Sequence, residues 1–219
     1  GVEELHWLLG LVLDAPAEQK RAFDEALAAR PKFALALYCR AGVRNAMQDR
    51  EGAIRDYDEA VRASPGFAEA YLHRGSLHYG FGRAGPAFED FDRLIRMKAL
   101  LPGAYNGRGR VLAELMGKPA EALPDLDRAV ELMPEGYILP WMARAKAHLQ
   151  LRQYDRAIAD ATKALAIHRW ADVYATRGLA REGKGDRAGA VEDLETALKG
   201  TTDPAPRKRL EEALDRLRR

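Results

Sequence analysis

Five histidines, one cysteine and two glycine-rich pieces are what this 219-residue chain offers to catalysis or ligand chemistry. His73 follows Glu69 by four residues, a helical spacing that can set two metal ligands side by side. No third ligand accompanies them, and the paired-histidine signature of a helix-borne zinc site is missing. Cys39 lies in a helical stretch with no histidine a turn away, so it reads as a small buried apolar residue and not as a nucleophile. Gly107–Arg108–Gly109 and Gly183–Lys184–Gly185 would need a strand before and a helix after them to cradle a phosphate. The first falls inside a helical stretch and the second in a turn between two. No metal, no cofactor and no enzymatic activity are expected.

A different set of polar residues recurs by position. Arg40, Arg74, Arg108, Arg144 and Arg177 are followed, 16 or 17 residues later, by Asp56, Asp90, Asp125, Asp160 and Asp193. Free guanidinium groups in a row would suit an acidic ligand. A carboxylate for every guanidinium suits an ion-pair ladder within or between structural units, and that is the reading adopted. Its energetic worth depends on burial, which counting does not supply. His78 and His148 also share a position, with Arg44, Leu112 and Arg181 as its other occupants, and they read as a packing column of mixed character.

These positions recur because the chain repeats. Residues 34–101 contain one pattern twice at a spacing of 34, ALALYCRAG to AIRDYDEAVRASP and then AEAYLHRGS to AFEDFDRLIRMKA. A fixed period of this size marks a solenoid, in which each unit buries its face on its neighbours. Five units follow, 34–67, 68–101, 102–137, 138–170 and 171–204, each with two apolar-periodic stretches around a polar or glycine-rich turn. The third carries an extra residue, expected in the turn at Gly117–Lys118–Pro119, and Tyr137 is a second insertion after Pro134. Pro124, about a turn into its helix, predicts a kink or bulge. Residues 1–33 read as a degenerate first repeat, because FDEALAARP echoes YDEAVRASP. Residues 205–219 read as a capping helix with Leu210, Ala213, Leu214 and Leu217 on one face.

Reading down the units gives packing columns. A large apolar residue (Leu37, Tyr71, Tyr105, Trp141, Tyr174) precedes by four a small one (Ala41, Gly75, Gly109, Ala145, Gly178). The facing helix supplies Ala53, Ala87, Ala122, Ala157 and Ala190. Small against small, flanked by large, lets antiparallel helices approach closely. These columns resemble those of the tetratricopeptide repeat (TPR) family, over about 34–204 and more loosely at the ends. The resemblance implies an all-α, right-handed α-solenoid of helix-turn-helix repeats whose first helices line a concave groove. In most of the family that groove binds a peptide or helix of a partner protein. Some members clamp a chaperone's C-terminal carboxylate with Lys and Asn; the matching positions here hold Tyr38, Gly42, Leu72 and Gly103, so that activity is not expected.

By the same resemblance the exposed first-helix residues form the partner-binding groove: Tyr38, Asn45, Leu72, His73, Ser76, Tyr79, Asn106, Arg110, Met142, Lys146, Leu149 and Gln150. Tyr38, Leu72, Tyr79 and Met142 are the expected anchors, and Arg110 and Lys146 the cations that would draw an acidic or C-terminal segment. The partner implied by the resemblance is a protein or peptide, and composition argues against nucleic acid and membrane. With 35 basic against 33 acidic residues the net charge is +2, too balanced for a nucleic-acid field. No apolar run has the length of a membrane helix, and the acidic start GVEELHWLLGLVL is unlike a secretory signal. A lone cysteine fits a reducing compartment, and a cytoplasmic location is expected. The absence of an initiator methionine points to a segment of something longer, so a docking or regulatory domain of a larger protein is one alternative. A homo-oligomer is another, with Trp7, Leu8 and Leu11 of the N-terminal helix docking on a second copy.

Overall fold

The computed structural model describes residues 1–133 and 136–219; Pro134, after which the second insertion is expected, lies outside the described residues. Among the described residues there is no strand. In chain order the helices are α1 (Val2–Val12), α2 (Pro16–Ala29), α3 (Ala34–Ala46), α4 (Arg50–Ala63), α5 (Ala68–Gly80), α6 (Ala84–Arg96) and α7 (Leu101–Arg110), which runs on into a π-helical turn (Val111–Leu115). Then come α8 (Pro119–Leu132), α9 (Leu139–Gln150), α10 (Tyr154–Ile167), α11 (Ala171–Lys184), α12 (Arg187–Gly200) and α13 (Pro204–Arg218). They form two compact units, Gly1–Gly107 and Arg108–Arg219. Within the first, successive helices from α1 to α6 pack on one another; within the second, successive helices from α8 to α13 do the same. The fold is an all-α helical repeat solenoid.

The packing columns explain the helix pairs. Ala53, Ala87, Ala122, Ala157 and Ala190 are completely buried, and Ala41, Gly75, Gly109, Ala145 and Gly178 are buried against them. A Cβ on Gly109 would stand 2.7 Å from the Leu126 side chain, so here only glycine permits the observed approach. Between the two helices of each of the five full repeats the chain turns through one left-handed residue: Gln48, Gly82, Gly117, Arg152 and Gly185 all have φ between +57° and +90°. Around it the helix ends in the same way. Asp49, Arg83, Gln153 and Asp186 each donate a backbone N–H to the carbonyl five residues earlier, at 2.8–2.9 Å.

The third repeat departs from expectation. Met116 donates to the Val111 carbonyl at 3.0 Å, the five-residue spacing of a π turn, and Lys118 donates to Leu112 at 2.8 Å, six residues back where the other repeats close over five. Its extra residue is therefore absorbed within the first helix, and Gly117 keeps the ordinary turn conformation. α8 runs unbroken through Pro124, so the distortion predicted there falls on the preceding helix instead.

The two terminal helices differ. α13 buries Leu210, Ala213, Leu214 and Leu217 against Ala190, Leu194 and Ala197, and its outer face is charged, as a cap should be. In α1 the indole of Trp7 turns inward onto Phe33, with ring centroids 5.7 Å apart, and does not project outward as its role in self-docking would require. Val2, Leu5, Leu8, Leu9, Leu11 and Val12 are left exposed.

Candidate interaction surface

The recurring arginines must be placed first, because they decide what charge is available to a ligand. Each forks both carboxylate oxygens of the aspartate on the second helix of its own repeat, at 2.5–3.0 Å. A further guanidinium nitrogen reaches back to the preceding repeat. Arg40 donates to Asp24 at 2.7 Å, Arg74 to Asp58 at 2.7 Å, Arg144 to Asp127 at 2.8 Å and Arg177 to the Thr162 hydroxyl at 3.4 Å. The ladder thus runs both within and between repeats. Arg74, Arg144 and Arg177 also lie over Tyr71, Trp141 and Tyr174, 5.1–5.7 Å from the ring centroids. Burial works against the charge of Arg74, but its bonds to Asp90 and Asp58 outweigh it and hold the guanidinium above its ordinary pKa. These cations are committed to the scaffold.

The mixed column of Arg44, His78, Leu112, His148 and Arg181 faces the same buried carboxylates. Arg44 Nη1 is 3.1 Å from Asp56, Arg181 Nη1 is 3.0 Å from Asp193, and His148 Nε2 is 3.7 Å from Asp160. The His148 Nδ1 atom pairs with Gln153 Oε1 at 2.8 Å. His78 Nδ1 is buried with no hydrogen-bond partner. Burial pushes the His78 pKa down; Asp90 opposes that shift, and Arg74 and Arg83 add to it.

The first-helix faces of the Gly1–Gly107 unit carry Tyr38, Gly42 and Asn45 on α3 and Leu72, His73, Ser76 and Tyr79 on α5. Tyr38 and His73 bridge the two helices, their rings tilted by 60° with centroids 5.6 Å apart. Tyr38 is also 4.9 Å from Phe67 and 5.8 Å from Tyr57, and His73 stacks on Tyr57 at 6.0 Å. Desolvation in this cluster raises the Tyr38 pKa and lowers that of His73. Phe67 and Tyr57 were missing from the sequence-based set. The signal was present, since Phe33 precedes Phe67 by one period at the residue that opens a first helix. The Ser76 hydroxyl donates to the Leu72 carbonyl at 2.8 Å, and Asn45 is exposed. Nothing stands within 4 Å of where a Cβ on Gly42 would lie, so the surface is open one turn beyond Tyr38.

Asn106 was expected on the exposed face, and it is buried, with Oδ1 lacking a partner. It shares a position with Tyr38 and Leu72, which are themselves half-buried: this column turns toward neighbouring side chains, Leu72 onto Gly103. In the second unit Met142 is half-buried against the cluster of Ile138, Ala145 and Val173, Leu149 is half-buried and Gln150 exposed. Lys146 Nζ lies 2.6 Å from Asp172, and Arg110 Nε lies 3.3 Å from Glu114. Both cations expected to draw an acidic partner already have a carboxylate. Cys39 is half-buried, and burial pushes its thiol pKa up. Among the described residues no group of three or more His, Cys, Asp or Glu is placed to hold a metal ion, and no helix is long and apolar enough to cross a membrane.

Known proteins can now be set beside this geometry. A tetratricopeptide repeat profile matches residues 46–104, and a second such profile matches residues 140–168. No curated protein sequence matches the chain. Among solved structures it is similar to a chain of the APC/C hetero-tetramer Cut9–Hcn1, at 21% identity and a TM-score of 0.78, over 98% of this chain and 42% of that one. It is similar to pilF of Pseudomonas aeruginosa at 16% identity and a TM-score of 0.79, over 97% of each chain. It also resembles YrrB, described as a TPR protein with an unusual peptide-binding site, at 22% identity and a TM-score of 0.66, over 88% of this chain and 99% of that one. The chain thus spans less than half of the Cut9–Hcn1 relative, and at these identities the likeness concerns the fold. The chain thus contains tetratricopeptide repeats, matched by profile in each of its two units, within an all-α repeat fold.

Proposed function

We propose that this chain is a non-enzymatic interaction scaffold that holds a partner's extended peptide on the first-helix face of the Gly1–Gly107 unit. The observation that carries the reading is the Tyr38–His73 contact, which joins the faces of α3 and α5 into one surface. Tyr38, Leu72 and Tyr79 supply apolar anchoring area, and Asn45, His73 and Ser76 supply hydrogen-bonding groups beside it, the mixture by which peptides are held in grooves. None of these residues carries a fixed charge, and Lys146 and Arg110 are ion-paired. Shape and apolar contact therefore dominate recognition, and binding depends only weakly on salt. The peptide-binding site in the description of YrrB lends support by analogy of fold.

Gly42→Trp tests this directly, because no atom stands within 4 Å of a Cβ at this position and the added side chain starts into open space. Peptides selected from a random display library on the wild-type chain are titrated against both proteins by fluorescence polarisation. At least a tenfold loss of affinity is expected for Gly42→Trp at unchanged thermal stability, with a comparable loss for Tyr38→Ala. Affinity unchanged in both variants would place binding on another surface.

A further inference from the structure

The peptide surface adjoins a cavity whose lining adds charge to apolar area. Residues 30–33, after α2, and residues 64–67, after α4, are successive turns between repeats, and both line a cavity of about 510 Å³. Phe33, Leu35 and Phe67 supply its apolar walls, and the Phe67 ring, 4.9 Å from that of Tyr38, joins it to the peptide surface. Arg30 and Lys32 stand in the first turn where, one period on, the second has Ser64 and Gly66. A Cβ on Gly66 would meet nothing within 4 Å, so the second turn leaves open the space that the first lines with charge. We propose, on the reading of Tyr38 and His73 as peptide-binding residues, that this cavity is a subsite for a large apolar side chain and an adjoining Asp or Glu, whose carboxylate sits between Arg30 and Lys32.

The charges of the cavity choose the residue it takes. Among the described residues neither Arg30 nor Lys32 has an ion-pair partner, whereas Arg62, near the end of α4, pairs with Glu59 at 2.7 Å. Arg30 lies over the Phe33 ring, 5.0 Å from its centroid, which keeps its charge beside an apolar wall. Glu69 also lines the cavity; it lies in the first turn of α5, where a helix end favours an acidic side chain. Two cations against one anion leave the lining net positive. A free inorganic anion would meet the cations and leave Phe33, Leu35 and Phe67 in water, whereas an apolar residue next to an acidic one covers both. The acidic preference first expected at Arg110 and Lys146 thus moves to the turn after α2. One exposed charge pair keeps the salt dependence of binding weak.

Random peptides selected by display on the full wild-type chain and, separately, on Arg30→Glu/Lys32→Glu test the proposal. Both side chains are exposed, and thermal melting checks that the variant is folded. Peptides from the wild type are expected to be enriched in Asp or Glu beside a large apolar residue, and those from the variant in Lys or Arg at the same place. By fluorescence polarisation a wild-type peptide should bind the variant about three- to tenfold more weakly. Exchange of its acidic residue for Lys should recover most of that loss, a rescue that a damaged fold would not allow. Gly66→Trp, whose side chain starts into open space at the cavity, is expected to weaken the wild-type peptide by a similar factor. Wild-type peptides without acidic enrichment overturn the proposal. If Arg30→Glu/Lys32→Glu and Gly66→Trp bind as the wild type does while Gly42→Trp does not, the subsite falls and the peptide surface stands. If none of the three variants changes the affinity, both fall.

Discussion

The first and second repeats follow one plan and satisfy their buried carboxylate differently. In α3–α4, Arg40 forks Asp56 and Arg44 Nη1 approaches it at 3.1 Å, while Asp49 caps α4 through the Gly52 N–H and lies 3.8 Å from Arg44. In α5–α6 the matching residues are Arg74, Asp90, His78 and, where Asp49 stands, Arg83. His78 is left with a buried Nδ1 that has no partner, and Arg83 instead pairs with Glu51 and lies over Phe81. The fourth repeat shows that histidine itself is not the cause. There His148 finds Gln153, the residue five positions on, at 2.8 Å. A shared backbone thus tolerates several charge sets, and the residue that opens the second helix decides whether a given set is complete.

The largest effect expected is at the carboxylates. Asp56→Ala removes a group only 2% exposed that two guanidinium groups share, at about 3–5 kcal/mol. Asp90→Ala is expected to cost less: Arg40 and Arg74 each keep a second carboxylate, Asp24 and Asp58, but only the first repeat also loses the contact to Arg44. Urea unfolding of both variants measures the difference. Equal losses would mean that Arg44 adds nothing to the first repeat and that the two carboxylates are equivalent.

The next effect is on pH dependence. In the fold the His78 pKa is depressed below the ordinary value of 6.5, so its stabilising contribution is complete above that value. The contribution is lost as pH falls, because the unfolded chain binds the proton more readily than the folded one. His73, whose pKa burial also lowers, acts in the same direction with less weight because it is more exposed. The melting temperature of the wild type is therefore expected to drop between about pH 7 and pH 5. His78→Arg/Arg83→Asp rewrites the second repeat with the charges of the first and should flatten that drop. An unchanged slope would show that His78 is not its source.

How much of this was legible in the sequence depends on the kind of residue. Period, helix pairs and the Arg–Asp ladder were readable because packing forces small residues such as Gly109 and Ala53, and paired charges such as Arg40 and Asp56, to fixed offsets. The π turn was not, because an inserted residue has the same spacing signature in a helix as in the turn that follows. The interaction surface was only partly readable. Helical spacing places Asn106 on the same face as Tyr38, but its burial depends on neighbours that periodicity does not specify. The inward turn of Trp7 has the same origin: α1 has apolar residues around most of its circumference, so pattern alone does not choose which side faces α2. Lys146 and Arg110 stood out as basic, and their partners Asp172 and Glu114 lie on the same faces that were read as contact surface.

The smallest effect sharpens the same comparison at the turn. Gln48 in the first repeat and Gly82 in the second occupy one left-handed position, with φ of +66° and +68°. A side chain there costs about 1–2 kcal/mol through the clash of its Cβ with the following carbonyl, whereas glycine costs about 0.5–1 kcal/mol of extra unfolded-chain entropy. Gln48→Gly is therefore expected to stabilise the chain by about 0.5–1 kcal/mol, and Gly82→Ala to destabilise it by a similar amount. Gln48 is exposed, so no buried contact is lost in the exchange. If thermal denaturation showed Gln48→Gly to be destabilising, the entropy of the unfolded chain would outweigh the backbone strain, and the first repeat would be the better adapted of the two at its turn.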